Sequence, residues 1–525
     1  MRAPAPTPMI ACESHQLDDE HAALAREDTL PAPHAHHVEA LMDFIQQNVI
    51  DPVSNVLWSY VLIYVLLGVG LYFGVRTRFV QFRMFGRMVG QIASSRSGSE
   101  GGISSFQAFC VGLASRVGTG NIAGVAIALT LGGPGAIFWM WVVALVGMAT
   151  ALIEATLAQI FKVPAGDGTF RGGPAFYIER GLGSRRGGIV FAILLIFTFG
   201  VAFNMVQANT ISDVLATGHG VGEWWSAAAL MVLTAVVVFG GVRRIARVAE
   251  YMLPAMALAY VLLAAVIIAL NVTQVGTVLG QIFSAAFGVG EAAAGITGGI
   301  AAALLNGAKR GLFSNEAGMG SAPNAAATAT TSHPVKQGLI QSLGVFVDTI
   351  IVCSATAFII LFAGSAVYRP GETTEGASLT QAAVAHELGS GLNWVMTVLI
   401  FVFAFSSVLG NYSYAEVNMT FLRARPIALT VFRALVVAVV GAGALLELAT
   451  VWALADVAMG FMALVNLVAL VLLGRWALGA LRDFERQTRA GQDPVFRSTG
   501  NKDLPRDLHD SVWTPEYAAS HDRTA

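Results

Sequence analysis

Five residues inside an apolar stretch have the composition of a break in a helix that could line a cavity. They are Val117-Gly118-Thr119-Gly120-Asn121, near the middle of the stretch 105–131. The glycines weaken a helix and free backbone N–H and carbonyl groups, while Thr and Asn add polar side chains. A second run, Phe287-Gly288-Val289-Gly290-Glu291, interrupts the stretch 277–305. Taken singly, either run could instead serve close packing between helices.

Other kinds of chemistry find little support in the sequence. The segment GVGLYFG (68–74) is glycine-rich but lacks the GK[ST] of a phosphate loop. The three cysteines lie far apart, and the sequence has neither a catalytic triad nor a zinc-ligand spacing. We therefore predict no enzyme activity. The net charge of -2 also argues against nucleic acid as a partner.

The elements that must position these residues belong to a membrane protein. Of the 525 residues, 55% are hydrophobic and only 12% are charged, which is about half the charged share of a soluble protein. One core in water could not bury so much apolar surface. Eleven runs could each cross the hydrocarbon core as a helix. They cover 56–75, 105–131, 134–162, 187–217, 224–241, 246–271, 277–305, 337–363, 390–419, 426–446 and 450–473.

Basic residues mark alternate connections between these runs, which predicts the orientation. The connection after the seventh run contributes Lys309, Arg310 and Lys336. We expect a multi-pass protein of the plasma (inner) membrane, with the N-terminus outside and the C-terminus in the cytoplasm. The expected parts are a polar extracytoplasmic tail (1–50), an extra N-terminal transmembrane helix with a basic connection (51–104), two five-helix repeats (105–275 and 276–475) and a largely unstructured cytoplasmic tail (476–525).

The two breaks occupy corresponding places in the two repeats. Each set of five runs opens with an interrupted helix, and because five is odd the second set has the opposite orientation. This is the layout of secondary transporters with inverted repeats, in which broken helices bind substrate and ion near the bilayer midplane. The predicted fold is therefore an all-α integral membrane protein with eleven transmembrane helices, one extra helix plus an inverted five-plus-five repeat.

Four long strings resemble one known family. GGPGAIFWMW (132–141), RVGTGNIAGVA (116–126), GGPAFYIERGLG (172–183) and RGLFSNEAGMGSAP (310–323) are similar to the alanine or glycine:cation symporters, also called sodium:alanine symporters. The similarity runs from about residue 58 to about 475. It implies the leucine-transporter architecture and the import of a small neutral amino acid, alanine or glycine, driven by co-transported sodium.

The resemblance also implies roles for particular residues. We expect the substrate carboxylate at Thr119, Gly120 and Asn121, with the Asn121 amide also directed to the ammonium or an ion. Gln207 suits the ammonium, although a hydrogen bond between helices is an equal reading. Three further residues are candidates for the pocket: Phe287, Asn411 and Trp452.

Sodium requires several oxygen ligands. The resemblance to the leucine-transporter architecture implies that the hydroxyls of Ser406 and Ser407 join the carbonyls of Val117 and Gly118 around the ion. The alternative is that both serines donate to carbonyls of the preceding helical turn.

Four charged residues within the spans need partners: Arg116, Glu154, Glu291 and Asp348. We expect structural pairing, with Arg116 and Glu154 neutralising one another and Asp348 a candidate for ion coupling or for a proton-sensitive acid. A proton-coupled symporter of the same fold, and a channel or sensor built on the transporter scaffold, remain open. Beyond substrate, ion and lipid bilayer, the sequence suggests no obligate protein partner.

Overall fold

The computed structural model describes residues 44–95, 102–165, 168–240, 242–289, 299–371 and 376–515, with the backbone alone over 242–251 and at 253. The chain divides into two compact units, Met1–Pro52 and Val53–Ala525. In the first, only 44–52 are described, so the expected outer tail lies almost entirely outside the described residues. The second unit holds all the other described residues.

The described residues are mainly helical. A two-stranded antiparallel ribbon, β1 (Val163–Pro164) and β2 (Phe170–Arg171), joins two of the helices. The helices are α1 (Gln46–Arg76), α2 (Val80–Arg83), α3 (Phe85–Ser94), α4 (Ser105–Arg116), α5 (Gly120–Gly132), α6 (Gly135–Ile160), α7 (Pro174–Leu182), α8 (Arg185–His219), α9 (Glu223–Val238), α10 (Val242–Leu270), α11 (Val272–Ala286), α12 (Gly299–Asn315), α13 (Pro323–Ala326), α14 (Pro334–Ala366), α15 (Ala377–Leu388), α16 (Ser390–Phe421), α17 (Pro426–Leu445) and α18 (Leu448–Arg489).

Several of these helices have the length and apolarity needed to cross a membrane. Among the described residues there are 7, or up to 9 if each of two bent pairs counts as one span. One pair is α4 with α5, bent by 49°, and the other is Pro254–Leu270 with α11, bent by 80°. Helix α9 is apolar but shorter. The protein is thus a helical multi-pass membrane protein, while the count of eleven spans and the inverted repeat stay predictions.

The first break lies where the sequence predicts it. Helix α4 begins with a reciprocal capping box between Ser104 and Gln107, which satisfies the first free N–H groups of the helix. It ends at Arg116, and α5 begins at Gly120 after a short non-helical link. Every residue from 117 to 125 is buried. Irregular backbone at this depth is tolerated because it is enclosed by protein.

A helix also ends where the sequence predicts the second interruption. Helix α11 ends at Ala286, residues 287–289 are not helical, and 290–298 lie outside the described residues. A further stretch of buried irregular backbone lies at 316–322, between α12 and α13, and we call it the second break. Three residues there have positive φ, namely Glu316 (57°), Gly318 (89°) and Gly320 (89°). A glycine run signals where a helix is weak, but only burial against other helices decides which weak point surrounds a site.

Helix α6 is the central support of both breaks. It packs along α14 and α12, and α4 packs against α10 and α16. Gly307 of α12 allows the close approach, because a Cβ there would lie 2.5 Å from the Ala136 carbonyl oxygen of α6. The large apolar core formed by these helices includes Trp58 and Trp476, both fully enclosed. The two breaks are therefore held by neighbouring helices on all sides.

The C-terminal segment is more ordered than expected. Helix α18 continues to Arg489, and residues 490–515 then lie against the ends of other helices. The Phe496 N–H donates to the Ser332 carbonyl (2.9 Å), and the Trp513 indole N–H donates to the Gln159 carbonyl (2.8 Å). The expectation of a largely unstructured tail is wrong for 476–515. Its apolar side chains are sparse in the sequence, but Phe496 and Leu504 are buried against the rest of the protein.

Candidate functional site

The first break brings Thr119 and Gln207 together. The Gln207 side-chain oxygen accepts hydrogen bonds from both the backbone N–H (3.3 Å) and the hydroxyl of Thr119. Both residues are almost fully buried, Thr119 at 1% exposure and Gln207 at 2%. One amide oxygen therefore takes two donors that could otherwise hold a carboxylate oxygen. The sequence pattern singled out both residues but not their contact.

Asn121 is committed to bonds within the protein. Its side-chain oxygen accepts from the Gly118 N–H (2.9 Å). Its amide nitrogen donates to the backbone carbonyl (3.0 Å) and the carboxylate (2.7 Å) of Asp348 in α14. In the conformation described, the Asn121 oxygen thus holds the link between α4 and α5. The expectation that this oxygen faces an ammonium or an ion is not met here.

Asp348 is a buried carboxylate surrounded by donors. Besides Asn121, the hydroxyls of Ser314 (2.7 Å) and Thr349 (2.8 Å) donate to it. Ser314 belongs to α12, so this carboxylate connects the first break to the helix that precedes the second. Four hydrogen-bonded residues on three helices form one buried polar cluster. Such a cluster stabilises a particular arrangement only while each member keeps its partners.

Aromatic rings close one side of the first break. A Cβ on Gly120 would lie 2.9 Å from the Phe313 ring and 3.0 Å from the Ser314 Cα, so no larger residue fits there. The Phe313 ring packs against Phe203 (centroids 4.4 Å apart) and Trp452 (4.5 Å). The structure thus brings Trp452 to the break, as expected from the sequence. Phe203 and Phe313 were missed because a phenylalanine is usual in membrane helices and only the packing of these helices brings the two rings together.

A buried ion pair lies behind these rings. The Arg310 guanidinium stacks over the Trp452 ring (4.4 Å to the centroid) and pairs with the Asp456 carboxylate of α18 (2.6 Å). Lys309 lies 3.3 Å from the same carboxylate. Both basic residues belong to α12 and not to a connection between helices, so they do not report on which side a loop faces. The orientation of the termini stays a prediction.

Phe287 is far less enclosed than a pocket residue. Its side chain is 54% exposed and contacts the rings of Phe138 (centroids 5.1 Å apart) and Trp139 (6.5 Å) on α6. It follows the end of α11, outside the clusters described above, and we remove it from the candidate pocket. Glu291, in the same predicted interruption, lies outside the described residues.

The serines expected to bind sodium lie beside the break. Ser407 is so close to Gly118 that a Cβ on the glycine would be 2.0 Å from the Ser407 hydroxyl oxygen. The Ser407 hydroxyl oxygen lies within hydrogen-bond distance of the carbonyls of Ala114 (3.0 Å) and Phe403 (3.2 Å), which share its single proton, and the Ser406 hydroxyl donates to Phe403 (2.8 Å). The contact of Ser407 with α4 was expected. The bonds to Phe403 are the alternative reading of these serines.

Asn411 bridges two helices instead of lining an open space. Its amide nitrogen donates to the side-chain oxygen of Asn204 on α8 (3.1 Å), and its oxygen accepts from the Ser115 hydroxyl of α4 (2.9 Å). Gly410 permits the contact, because a Cβ there would lie 2.9 Å from the Ser115 backbone. Asn411 therefore fastens α16 to the end of α4.

Arg116 and Glu154 are both buried, but the expected direct pairing is not seen. The Arg116 guanidinium donates to the Gln341 carbonyl (3.2 Å), and its Nε and Nη2 have no hydrogen-bond partner among the described residues. Glu154 accepts from the Gly318 N–H (3.2 Å) and the Asn466 amide (3.0 Å). The two charges interact only over a longer distance. Glu154 in fact holds the second break through Gly318.

Comparison with known proteins identifies the family. The profile of the sodium:alanine symporter family matches residues 42–498. The chain belongs to the sodium:alanine symporter family. It is 47% identical over 456 residues to a probable sodium/glutamine symporter, GlnT, of Bacillus subtilis, covering 87% of this chain and 94% of that protein. It is 39% identical over 441 residues to the sodium/alanine symporter AgcS of Methanococcus maripaludis, covering 82% and 95%.

A solved structure also matches this symporter. It is MhsT in complex with L-phenylalanine, with a TM-score of 0.49, 14% identity, and coverage of 73% of this chain and 97% of that one. Family membership makes the protein a sodium:amino-acid symporter and not an enzyme.

For the symporter, the clusters around the two breaks become the candidate transport site. They are closed to solvent in this conformation, since Thr119, Asn121, Ser407 and Glu316 are each at most 1% exposed. A substrate can reach them only if helices move apart. Glu316, Phe313 and Ser314 all lie in the string 310–323 that carries the family resemblance, so their importance was signalled by motif while their positions were not.

Proposed function

We propose that this symporter imports alanine or glycine together with sodium by alternating access across the plasma membrane, with its N-terminus outside. The observation that carries the proposal is the double acceptance by Gln207 at the first break. Its amide oxygen receives the Thr119 N–H and hydroxyl, as one oxygen of a substrate carboxylate would. When substrate enters, the carboxylate replaces this oxygen at Thr119, and Gln207 turns to the substrate ammonium.

The aromatic cluster favours a small side chain. Phe313 lies against Gly120, with Phe203 and Trp452 behind it, so a substrate held at Thr119 meets rings within a few ångströms. A methyl group or a hydrogen fits such a site without displacing them. The name of GlnT indicates glutamine for that relative. A rotation of Phe313 would be required for a substrate of that length here.

For sodium we propose the carbonyls of Val117 and Gly118 with the hydroxyls of Ser406 and Ser407. The support is the contact of Ser407 with Gly118 and the non-helical conformation of Val117 (φ −77°, ψ 89°), which turns its carbonyl out of the α4 hydrogen-bond ladder. Both hydroxyls would exchange their bonds to carbonyls for the ion. A neutral substrate and one monovalent cation then need no additional protein charge at the break.

The test is uptake into proteoliposomes containing the purified full-length protein. We expect labelled alanine to accumulate only with an inward sodium gradient, and uptake to saturate with alanine concentration. Equal uptake without sodium would refute sodium coupling, uptake driven by a pH gradient alone would favour the proton-coupled alternative, and non-saturating flux would favour a channel. Binding of alanine without uptake would favour a sensor.

Two variants test the site itself. Thr119→Val keeps the side-chain shape but removes the hydroxyl, and we expect the half-saturating alanine concentration to rise about 10- to 100-fold, as for loss of a hydrogen bond to a charged group. Thr130→Val is the matched control, because the Thr130 hydroxyl donates only to the Ala126 carbonyl within α5. An unchanged half-saturating concentration in Thr119→Val would remove the first break from the substrate site.

A further inference from the structure

A chain of buried polar side chains runs from α8 to the second break and has no role in the transport steps proposed above. It consists of Asn204 on α8, Asn411 on α16, Ser115 at the end of α4, and Glu316 and Ser321 in the second break. Ser115 is the most exposed member at 6%, and the other four are at most 1% exposed. Buried polar groups of this kind need a consistent donor and acceptor at every contact.

The donor direction of this chain can be fixed from its backbone end. The Gly200 carbonyl can only accept, so the Asn204 amide nitrogen must face it (3.3 Å). The Asn204 oxygen is then left to accept from the Asn411 amide nitrogen (3.1 Å). The Asn411 oxygen in turn faces the Ser115 hydroxyl (2.9 Å) and needs its proton.

Ser115 has one hydroxyl proton but two acceptor oxygens beside it. Its oxygen lies 2.9 Å from the Asn411 oxygen and 2.8 Å from a Glu316 carboxyl oxygen. Because Asn411 takes the proton, the contact with Glu316 is a hydrogen bond only if the carboxyl itself donates. The other Glu316 oxygen accepts from the Ser321 hydroxyl (2.6 Å). We propose that Glu316 is a proton-binding site and that its protonated form holds the closed conformation described here.

The charged and titratable groups around Glu316 come from four helices. Arg116 of α4, Glu154 of α6, Asp348 of α14 and Tyr414 of α16 all interact with it electrostatically. The Tyr414 hydroxyl interacts with Ser115 as well and donates to the Gly112 carbonyl (3.4 Å). The Arg116 guanidinium is therefore the positive charge that interacts with three buried carboxyl groups, those of Glu154, Glu316 and Asp348. A neutral Glu316 reduces the uncompensated negative charge by one.

The other two carboxyl groups show the contrast. Glu154 accepts only from N–H groups, those of the Gly318 backbone and the Asn466 side chain. Asp348 accepts from the Asn121 amide and from two hydroxyls. Neither needs a proton of its own to satisfy its neighbours. Among these three carboxyl groups, only Glu316 faces a hydroxyl, that of Ser115, whose proton is already donated to another acceptor, the Asn411 oxygen.

The oxygen–oxygen distances at this position are those of hydrogen bonds. The three contacts of 2.6, 2.8 and 2.9 Å lie in the range of O–H···O hydrogen bonds. This site is also separate from the sodium site proposed at Val117, Gly118, Ser406 and Ser407, and the inference rests on the proposed transport cycle.

Loss of the proton has a structural consequence. When the site opens to water, the Glu316 O–H bond breaks, the proton passes to water, and the electron pair stays on the carboxylate. The Ser115 hydroxyl then donates its hydrogen bond to the Glu316 carboxylate, and the Asn411 oxygen loses its donor. The connection of α16 to the end of α4 is thereby weakened. Ionisation of Glu316 thus favours separation of these helices, and transport becomes dependent on pH.

The direct test is infrared spectroscopy of the purified full-length protein without substrate. A buried protonated carboxyl gives a carbonyl band that carboxylates lack. We expect this band in the wild type at neutral pH, its loss in Glu316→Gln, and its retention in the matched control Glu154→Gln. No band in the wild type, or a band that Glu316→Gln leaves unchanged, overturns the proposal.

The second test is the pH profile of sodium-driven alanine uptake. Above the midpoint of the Glu316 titration, the protonated population falls about tenfold per pH unit, and we expect alanine uptake to change with it. Glu316→Gln, which keeps a neutral group able to donate to Ser115, should make that profile flat. If Glu316 had only a structural role, Glu316→Gln would leave the slope of the pH profile as it is in the wild type.

The two measurements separate the proposals. If the wild type takes up no alanine, the proposed function fails while the infrared result still decides the proton site. If Glu316→Gln does not fold, Ser115→Ala provides the remaining test, because it removes the oxygen that accepts the proton. We expect Ser115→Ala to shift the carbonyl band and the midpoint of its titration, and an unchanged band would overturn the proposal.

Discussion

The contact between Gly118 and Ser407 makes a quantitative prediction about the first break. A methyl group at position 118 would lie 2.0 Å from the Ser407 Oγ, 3.1 Å from its Cβ and 3.4 Å from the Phe403 carbonyl oxygen. The hydroxyl can rotate away, but the Cβ contact still forces α4 and α16 apart by a few tenths of an ångström. Overpacking of this kind costs about 1–3 kcal/mol.

The partner substitution separates the two contributions. Ser407→Ala alone loses the bond to the Ala114 carbonyl, which costs about 0.5–1.5 kcal/mol. In Gly118→Ala the hydroxyl that rotates away gives up this same bond, so the double variant loses the bond only once. We therefore expect the double variant to be more stable than the sum of the single effects predicts, by about 1 kcal/mol.

The assay is thermal unfolding of the detergent-purified protein, with and without sodium. Gly280→Ala is the control, because a methyl group there meets nothing within 4 Å. Sodium should raise the unfolding temperature of the wild type by mass action and raise that of Ser407→Ala less. The packing argument fails if Gly118→Ala is as stable as the wild type or if the two substitutions are strictly additive.

Three further predictions concern other parts of the molecule. Asp456→Ala leaves Arg310 buried without its carboxylate and should cost about 3–5 kcal/mol in thermal unfolding, whereas the double change Arg310→Met with Asp456→Leu should cost less; an equal loss in both would contradict a net role for the pair. Trp513→Ala should speed protease cleavage within 490–515 about tenfold, as a local loss of roughly 1.4 kcal/mol predicts, and an unchanged rate would show that this ring does not secure the segment. Burial lowers the pKa of His333 from 6.5, with Asp483 opposing the shift. The contribution of neutral His333 to stability is therefore present above pH 6.5 and is lost as the pH falls through the lowered pKa. If the difference in unfolding temperature between the wild type and His333→Gln did not depend on pH, this prediction would be wrong.

The sequence located several site residues by type and setting alone. A polar group in a long apolar run is costly in a membrane and must face protein or water. That argument identified Thr119, Asn121, Gln207 and Asn411, all of which the structure buries near the first break. The resemblance to the transporter architecture, and not this argument, predicted that Ser407 lies beside the first break. The roles assigned to these residues stay predictions until transport is measured.

The same reasoning failed where packing decides the outcome. The sequence predicts an interruption at 287–291, and α11 ends at Ala286, but the buried break at 316–322 was not singled out. Phe313 lies in a motif that the sequence analysis recognised, but nothing in that motif shows that its ring packs against Trp452 at the first break. The basic residues Lys309 and Arg310 suggested a loop, but Asp456, 146 positions beyond Arg310, holds the latter inside the protein.

By itself, the sequence determined that this protein lies in a lipid bilayer and which family it belongs to. Low charge and long apolar runs require a bilayer because one core in water could not bury so much apolar surface. Four motif strings carry the family resemblance. The tertiary structure decided which weak point of the chain became the second break, and which donor each buried acceptor obtained. Hydrogen bonds such as that between Ser115 and Glu316 join residues 201 positions apart. A proton site that depends on one shared hydroxyl proton therefore exists only once the helices are packed.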